Sequence, residues 1–386
     1  MATSLWQAIH DDLRRRIESG ELAVGATLPS ETDLASHWEV SRLTAHRALY
    51  ELQRSGLVLR KRRVGTVVSQ PQEVQPSSVA AIFYDASDYF QGKYLASINA
   101  SMAGAHHVVY LDSDHDHKLE AQVLRKAHRE TEGIILFPTC HPENDPLLAK
   151  LSKVGPPLVC IDRVPAGLPC DAVTTDNYGA TTQGLQFLAS NGHRRIAHIT
   201  DNEPYVSSTH DRAEAYHDFM RKMGQDSSEL FRQFPYVAPF GDSQFEIMVR
   251  MVQDALTAML HSSDPPTAVL CLRDHYAAAV DEALYRIDLS QAGQEKSDRG
   301  STRQGKLDGA RRPRLEVLAF IDRPTWMLRL RTDVHRIQQD VPRMGQIAAE
   351  RLRKRIAGEI LPVEHFKVPA VLIPSTSAQP VLSASV

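Results

Sequence analysis

The sequence predicts two fold classes in one chain: an α+β winged helix-turn-helix over residues 1–69, then an α/β region of two parallel-sheet subdomains over 79–375. Three observations carry this. Residues 4–69 hold three short amphipathic helical patterns followed by a basic hairpin. Residues 70–78, Gln-Pro-Gln-Glu-Val-Gln-Pro-Ser-Ser, are polar, carry two prolines and lack periodicity, which reads as an extended linker. From Val79 onward, apolar strands alternate with helical stretches, the pattern of parallel sheets covered on both faces. A length of 386 residues also exceeds one ordinary domain.

Composition bounds the function classes. Hydrophobic residues make 42% of the chain and charged residues 24%, enough apolar surface for full cores. Mean hydropathy is −0.31, and no apolar run approaches the roughly 20 residues that span a bilayer. The start, MATSLWQAIHDDLRRR, lacks the apolar region of a signal peptide, so a cytoplasmic protein without a membrane partner is expected. Cys140, Cys160, Cys170 and Cys271 show no C-x-x-C spacing, which argues against a disulfide scaffold or a Cys-rich zinc site. The net charge of −3 excludes a protein that coats nucleic acid in bulk. Charge is uneven, however. Residues 1–70 hold ten Lys/Arg against eight Asp/Glu, and 54–70 carry Arg54, Arg60, Lys61, Arg62 and Arg63 with no acid. That cluster suits phosphate.

The first helix starts at a capping box, Ser4 to Gln7, and runs along the stripe Leu5, Ile9, Leu13 and Ile17 to Gly20. Ser30 caps a second short helix with Leu34, Ala35 and Trp38 facing inward. After a tight break at Val40, Ser41 caps a third helix, whose apolar face is Ala45, Ala48, Leu49 and Leu52. Leu57–Leu59 and Val64–Val68 then form a hairpin with a cationic tip at Arg60–Arg63. In such a unit the third helix enters the major groove by its N-terminal end. Arg42, Thr44, His46 and Arg47 form its polar edge, and Leu43 lies opposite the core, free to meet a thymine methyl. Lys61, Arg62 and Arg63 on the wing face phosphate.

Ile17-Glu-Ser-Gly-Glu-Leu-Ala-Val-Gly-Ala-Thr-Leu-Pro-Ser-Glu-Thr-Asp-Leu-Ala, Val40-Ser-Arg-Leu-Thr, Gly56-Leu-Val and Val64-Gly-Thr resemble the DNA-binding domain of the GntR family. The resemblance covers residues 4–69. It implies DNA contacts by Arg42, Thr44 and the wing Gly65. Ser30 and Ser41, which cap the second and third helices, are further candidate DNA contacts. Where the family often has Arg, this chain has His46, with Arg47 beside it.

Strands are expected at Val79–Tyr84, His107–Leu111, Gly133–Phe137, Pro157–Ile161, Arg195–Ile199, near Gln233–Val237, and at Ala268–Cys271, Leu315–Phe320 and Pro369–Ile373. Helices are expected over 91–103, 117–130, 144–152, 177–191, 211–223, 243–260, 274–286 and 341–357. So many strands suit two open subdomains with a ligand cleft at the strands' carboxyl ends. Residues 290–314 hold seven Lys/Arg, three acids and one large apolar residue, Leu307, and read as a disordered surface insertion. Residues 376–386 read as a tail.

Pro157-Leu-Val-Cys-Ile-Asp-Arg, Asp176-Asn-Tyr-Gly-Ala, Gly192-His-Arg-Arg-Ile-Ala-His-Ile, Arg212-Ala-Glu-Ala-Tyr and Pro266-Thr-Ala-Val-Leu-Cys resemble, in order, the LacI/GalR effector domain. That resemblance implies the periplasmic-binding-protein type I fold over about 79–375. A GntR-type reader joined to such a domain is the arrangement of arabinose-repressor-like regulators. The family's ligand contacts fall on Asp162, Arg212, Asp274, Asp322 and Gln339. Arg273 replaces a family Asn, and Ile321 replaces a family Asp. Carboxylates and Arg bind sugar hydroxyls in pairs, while an aromatic ring stacks on the sugar face. Tyr89 or Phe90 could be that ring, and either could equally be core.

Other chemistry is weaker. Ser113-Asp-His-Asp-His117 holds metal-capable side chains, but no second cluster is spaced to complete a shell, so no metal or other cofactor is expected. His193 reads as structural. Nucleophile elbows, Walker loops and dinucleotide fingerprints are absent, and no catalytic residue is expected. The sequence therefore points to a transcription regulator, most simply a homodimeric repressor that binds operator DNA and a sugar-like effector. A sensor without DNA function and an enzyme fused to a DNA reader are the alternatives.

Overall fold

A computed structural model describes residues 5–61, 64–69, 78–85, 88–236, 242–298, 315–323 and 330–375. The chain divides into two compact units, one up to Ser78 and one comprising the bulk of the chain from Val79.

In the first unit, α1 (Leu5–Glu18), α2 (Glu31–His37) and α3 (Arg42–Arg54) precede a hairpin of β1 (Val58–Lys61) and β2 (Gly65–Val68). Capping residues start the helices where the sequence places them. The Ser30 hydroxyl accepts from the Asp33 amide while the Asp33 carboxylate accepts from the Ser30 amide, a reciprocal box. Ser41 Oγ accepts from the Thr44 amide at 3.1 Å. Ile9, Leu13, Leu34, Ala45, Ala48, Leu49 and Leu52 pack with Val58 and Val68 as one core. Leu5, expected in the stripe, is 60% exposed; as the first residue of α1 it falls outside the cluster that Ile9 and Leu13 join. Ser4 lies outside the described residues.

The second unit holds two six-stranded sheets. The chain first lays down β3 (Ser78–Phe83), α4 (Tyr89–Met102), β4 (His107–Asp112), α5 (His117–Glu130), β5 (Gly133–Leu136), α6 (Asp145–Leu151), β6 (Leu158–Ile161) and β7 (Asp171–Thr175). At Asp176 it crosses to the second subdomain. There follow α7 (Asn177–Ser190), β8 (Ile196–Asp201), α8 (Ser207–Lys222), β9 (Phe231–Phe234), α9 (Asp242–Leu260), β10 (Ala268–Cys271), α10 (Asp274–Asp298), β11 (Glu316–Phe320) and β12 (Val334–Gln338). At Gln339 and Asp340 it crosses back, and α11 (Val341–Ile356) packs on the first sheet beside α4. β13 (His365–Val368) extends the first sheet, and β14 (Val371–Ile373) the second. The orders are β13-β7-β6-β5-β3-β4 and β14-β12-β11-β10-β8-β9. Three crossings thus join the halves.

Several expectations need correction. The strands β7, β12 and β13 were invisible as apolar runs, because Asp-Ala-Val-Thr-Thr, Val-His-Arg-Ile-Gln and His-Phe-Lys-Val carry polar groups. Tertiary partners satisfy those groups in β7 and β12, while His365 and Lys367 of the edge strand β13 are exposed. Asp171 takes Arg351 and Arg355, and His335 Nε2 lies 2.8 Å from Glu316. The sheets are not wholly parallel, since β14 runs antiparallel to β12 at the edge. α8 begins at Ser207, one turn before Asp211. The expected insertion at 290–314 is helical at its start, because α10 continues to Asp298 through the good helix formers Gln291, Ala292, Gln294, Glu295 and Lys296. Residues 299–314, the linker at 70–77 and the tail at 376–386 lie outside the described residues. His193 is structural as expected, bonded to Glu316 and Thr267.

Candidate functional site

The first unit presents the N-terminal end of α3. Arg42, Leu43 and Arg47 are exposed there, with Leu43 at 64%, and Thr44 and His46 are half-buried. Glu31, on α2, gathers the cations behind this face. Its carboxylate accepts from Arg42 Nε at 3.2 Å and Arg60 Nη2 at 2.8 Å, and lies 2.8 Å from His46 Nδ1. The His46 bond, opposed by partial burial and aided by Arg60 and Arg42, holds that carboxyl below its ordinary range. Arg47 turns the other way and lies 4.5 Å over the Trp6 ring of α1. The Thr44 and Ser41 hydroxyls bond each other at 2.8 Å, and the Ser30 hydroxyl is engaged by Asp33. Lys61 is exposed at the end of β1; Arg62 and Arg63 lie outside the described residues. Gly65 has φ +106°, a conformation costly for any residue with a Cβ, so the wing turn requires it. Sequence reasoning missed Glu31 and the paired state of Arg60; an acid among cations at i, i+11 and i+29 leaves no local signal.

The second unit has a cleft between its two subdomains, with about 770 Å³ of unfilled space, mouth included. Its first wall carries Phe90, Phe137, Asp162 and Arg163. Its second carries Asp201, Glu203, Arg212, Arg273, Asp274 and Asp322, and Gln339 sits on the crossing segment after β12. Asp162 follows the end of β6 with φ +69°, a left-handed conformation that Asp tolerates better than most residues. Its amide still reaches the Val173 carbonyl at 2.8 Å, so the sheet holds the strained residue in place. Arg212, buried on α8, donates to Asn177 Oδ1 at 2.9 Å, the Leu272 carbonyl at 2.7 Å and Gln339 Oε1 at 3.2 Å. Its guanidinium lies 3.5 Å over the Phe320 ring. Asp322 accepts from the Gln339 amide at 2.8 Å and side chain at 2.7 Å.

The cleft is rich in charge, with seven carboxylates and three Arg among its lining residues. Most are paired. Arg273 holds Asp201 at 2.9 Å, and Arg323 bridges Asp274 at 3.0 Å and Asp88 at 3.3 Å. Burial pushes the Asp322 carboxyl up to about 6, against the pull of Gln339 and Arg212. Burial likewise raises Asp162 and Glu203, with Arg163 restraining both. Asp274 is pushed up by burial but pulled further down by His275 and Arg323, so it stays ionised. Burial lowers Arg212 to about 10, which still leaves it charged at neutral pH. Rigid carboxylates and guanidinium groups beside aromatic faces can hold a polyhydroxylated ligand.

Phe90, Asp162, Arg212, Asp274, Asp322 and Gln339 come together on this cleft. Tyr89 does not line it. It is 37% exposed in the first turn of α4, with Lys93 Nζ 4.9 Å over its ring. Of the two family departures, Ile321 is fully buried in the core of the second subdomain, whereas Arg273 does line the cleft. Arg163, Asp201, Glu203 and Tyr236 went unnoticed in the sequence, because each stands at a strand end or loop whose direction only the sheet sets.

The sequence matches the model for bacterial regulatory proteins of the gntR family over residues 5–68. It matches that for periplasmic binding proteins and the sugar binding domain of the LacI family over 80–309. The arabinose metabolism transcriptional repressor of Geobacillus stearothermophilus is 25% identical over 189 residues, 47% of this chain and 52% of that protein. The HTH-type transcriptional regulator RafR of Escherichia coli is 36% identical over 74 residues, 19% of this chain and 21% of that one. The chain thus spans about half, or less, of the curated relatives it matches. The solved Cra transcriptional dual regulator from Pseudomonas putida, in complex with fructose 1-phosphate, superposes with a TM-score of 0.61 at 17% identity, covering 78% of this chain and 99% of that one. CcpA of Lactococcus lactis gives 0.62 at 14%, covering 79% and 100%. At such identities the likeness is one of fold.

Proposed function

The chain belongs to the family of periplasmic binding proteins and LacI-type sugar-binding domains, and on that premise we propose that it is a ligand-responsive transcriptional regulator that represses carbohydrate-related genes. The observation that carries this reading is the cleft, where Asp162 on one subdomain faces Arg212, Asp274 and Asp322 on the other, in a chain that also bears a gntR-type reader. A sugar bonded to both walls would favour the closed arrangement of the subdomains by its differential affinity for that state. The role is binding rather than catalysis. Ser30, Ser41, Arg42, Leu43, Thr44, His46, Arg47, Lys61, Arg62, Arg63 and Gly65 would meet operator DNA, Ser30 and Ser41 from the helix starts that they cap.

The reading includes a cytoplasmic homodimer assembled through the larger unit, because one winged helix covers too little DNA for operator-level specificity. The exposed Ile247, Tyr285 and Leu289 on α9 and α10 suit such a contact. Among the described residues no helix is long and apolar enough to cross a membrane. A gel shift with the DNA upstream of the protein's own coding sequence, run with and without a panel of pentoses, hexoses and their phosphates, tests the proposal. A sugar-dependent change in a specific shifted band is expected. Absence of specific binding would refute the DNA role, and a shift indifferent to the whole panel would refute the sugar effector.

A further inference from the structure

The stretch Ser113-Asp-His-Asp-His117 comes apart in the fold. His115 turns to the cleft, with Nε2 3.4 Å from Asp85 and its ring 5.6 Å from that of Tyr236. His117, in the first turn of α5, turns instead to the loop after β5 and meets His141 and Glu143. The two imidazoles are stacked, 3.7 Å between centroids and 11° between planes. His117 Nε2 lies 3.2 Å from Glu143 Oε2, and one ligand atom from each of the three residues lies within 4.8 Å of the others. The second cluster that spacing alone does not provide is therefore supplied by a loop more than twenty residues away.

We propose that His117, His141 and Glu143 bind a divalent transition-metal ion of the zinc class, with water completing the shell. Two imidazoles and one carboxylate are the donors such borderline ions take, and three protein ligands leave an open position. The segments carrying them are tied together immediately behind the site. Glu120, one turn beyond His117 on α5 and buried, accepts from the Thr139 amide at 3.2 Å, the Thr139 hydroxyl, and Asn144 Nδ2 at 3.2 Å. Asn144 Nδ2 also donates to the His117 carbonyl at 2.8 Å. Thr139 and Asn144 flank the loop that bears His141 and Glu143, so the ligands are brought together before any ion arrives. His141 Nδ1 accepts only a long bond, 3.3 Å, from the Glu143 amide, which a metal can displace. A metal takes both rings as neutral donors after a rotation about χ2.

His210, Asp211 and Glu214 form a second such cluster, but all three lie on α8 alone, and they serve as the control. The full-length protein, stripped with a chelator, is titrated calorimetrically with ZnCl2, and a parallel titration follows the visible absorption of Co2+. One ion per chain is expected. His117→Ala and His141→Ala should abolish that site, and Glu143→Gln, an exposed change without folding risk, should weaken it by about tenfold or more. His210→Ala should leave it intact, and the metal-free variants should melt as the wild type does. The proposal is overturned if the wild type takes up no zinc, if Glu143→Gln and His117→Ala bind it as the wild type does, or if His210→Ala removes the site. The readouts need neither DNA nor sugar, so they stand apart from the regulatory role.

Discussion

Replacing Arg212 should cost both ligand and stability, and the structure sets the size of the second effect. The side chain is 6% exposed and donates to Asn177, the Leu272 carbonyl and Gln339, while its charge restrains the buried Asp162 and Asp322. Bonds from a charged donor contribute about 1.5–3 kcal/mol each, but these three act as one network and do not add. Removing one partner from such a buried charged set costs about 3–5 kcal/mol. Arg212→Ala is therefore expected to lose about that much, because it takes a donor from the Leu272 carbonyl, Asn177 and Gln339 and removes a counter-charge from the buried Asp322, while Asp162 keeps Arg163. Arg212→Lys keeps the charge but not the planar fork, so it should fall between wild type and Ala. Urea titration followed by circular dichroism measures this from the shift in the larger unit's midpoint at unchanged slope. Calorimetry with the sugar found in the gel shift should show binding lost in both variants. A loss below about 1 kcal/mol for Ala would refute the network, since so small a cost is that of one ordinary hydrogen bond. Full sugar affinity in Arg212→Lys would remove the bidentate role.

Arg42→Ala should leave the melting temperature unchanged and weaken operator binding by about 1–3 kcal/mol in fluorescence anisotropy; equal affinity would remove Arg42 from the interface. Substituting Lys61, Arg62 and Arg63 together by Ala should weaken binding to every sequence and flatten the salt dependence by up to about one unit per lost phosphate contact. A loss confined to one operator would mean that the wing reads bases. Burial lowers the His198 imidazole to about 4 from its ordinary 6.5, so it folds neutral. Its share of stability is present above pH 6.5 and drains away as pH falls towards 4, up to about 3 kcal/mol at 1.36 kcal/mol per pKa unit. His198→Phe, beside Tyr216 and Phe231, should flatten that acid limb in urea titrations at a series of pH values; an unchanged limb would place the loss elsewhere.

What could be read from the chain was what neighbours in sequence decide. The Ser30 and Ser41 caps, the face Ala45-Ala48-Leu49-Leu52 and the wing's need for Gly65 each rest on a few consecutive residues. Gly-Ile-Ile-Leu at 133–136 and Ala-Val-Leu-Cys at 268–271 are strands because a buried parallel strand must be apolar on both faces. Asp171–Thr175 and Val334–Gln338 failed that test although they lie inside the sheets. Their polar groups are satisfied by Arg351 and Arg355 in one case and by Glu316 in the other, partners that no local window contains.

The order of domains, the helices with their caps and the apolar strands were determined by the sequence alone, because their energetics are local; Asp162, Arg212, Asp274 and Asp322 were legible only through the resemblance of the motifs around them. Which side chains meet was decided only in three dimensions. Tyr89 and Phe90 are adjacent, yet a helix turns by about 100° per residue, so one ring lines the cleft and the other faces outward. His115 and His117 part for a different reason: His115 sits in the turn before α5 with φ +57°, whereas His117 begins the helix. Glu31 reaches Arg60 across 29 residues and Arg212 reaches Gln339 across 127. Such pairs form because packing of the apolar faces brings the segments together and burial then penalises any polar group left without a partner. That penalty acts only once the chain has folded, which is why it leaves no periodic trace in the sequence.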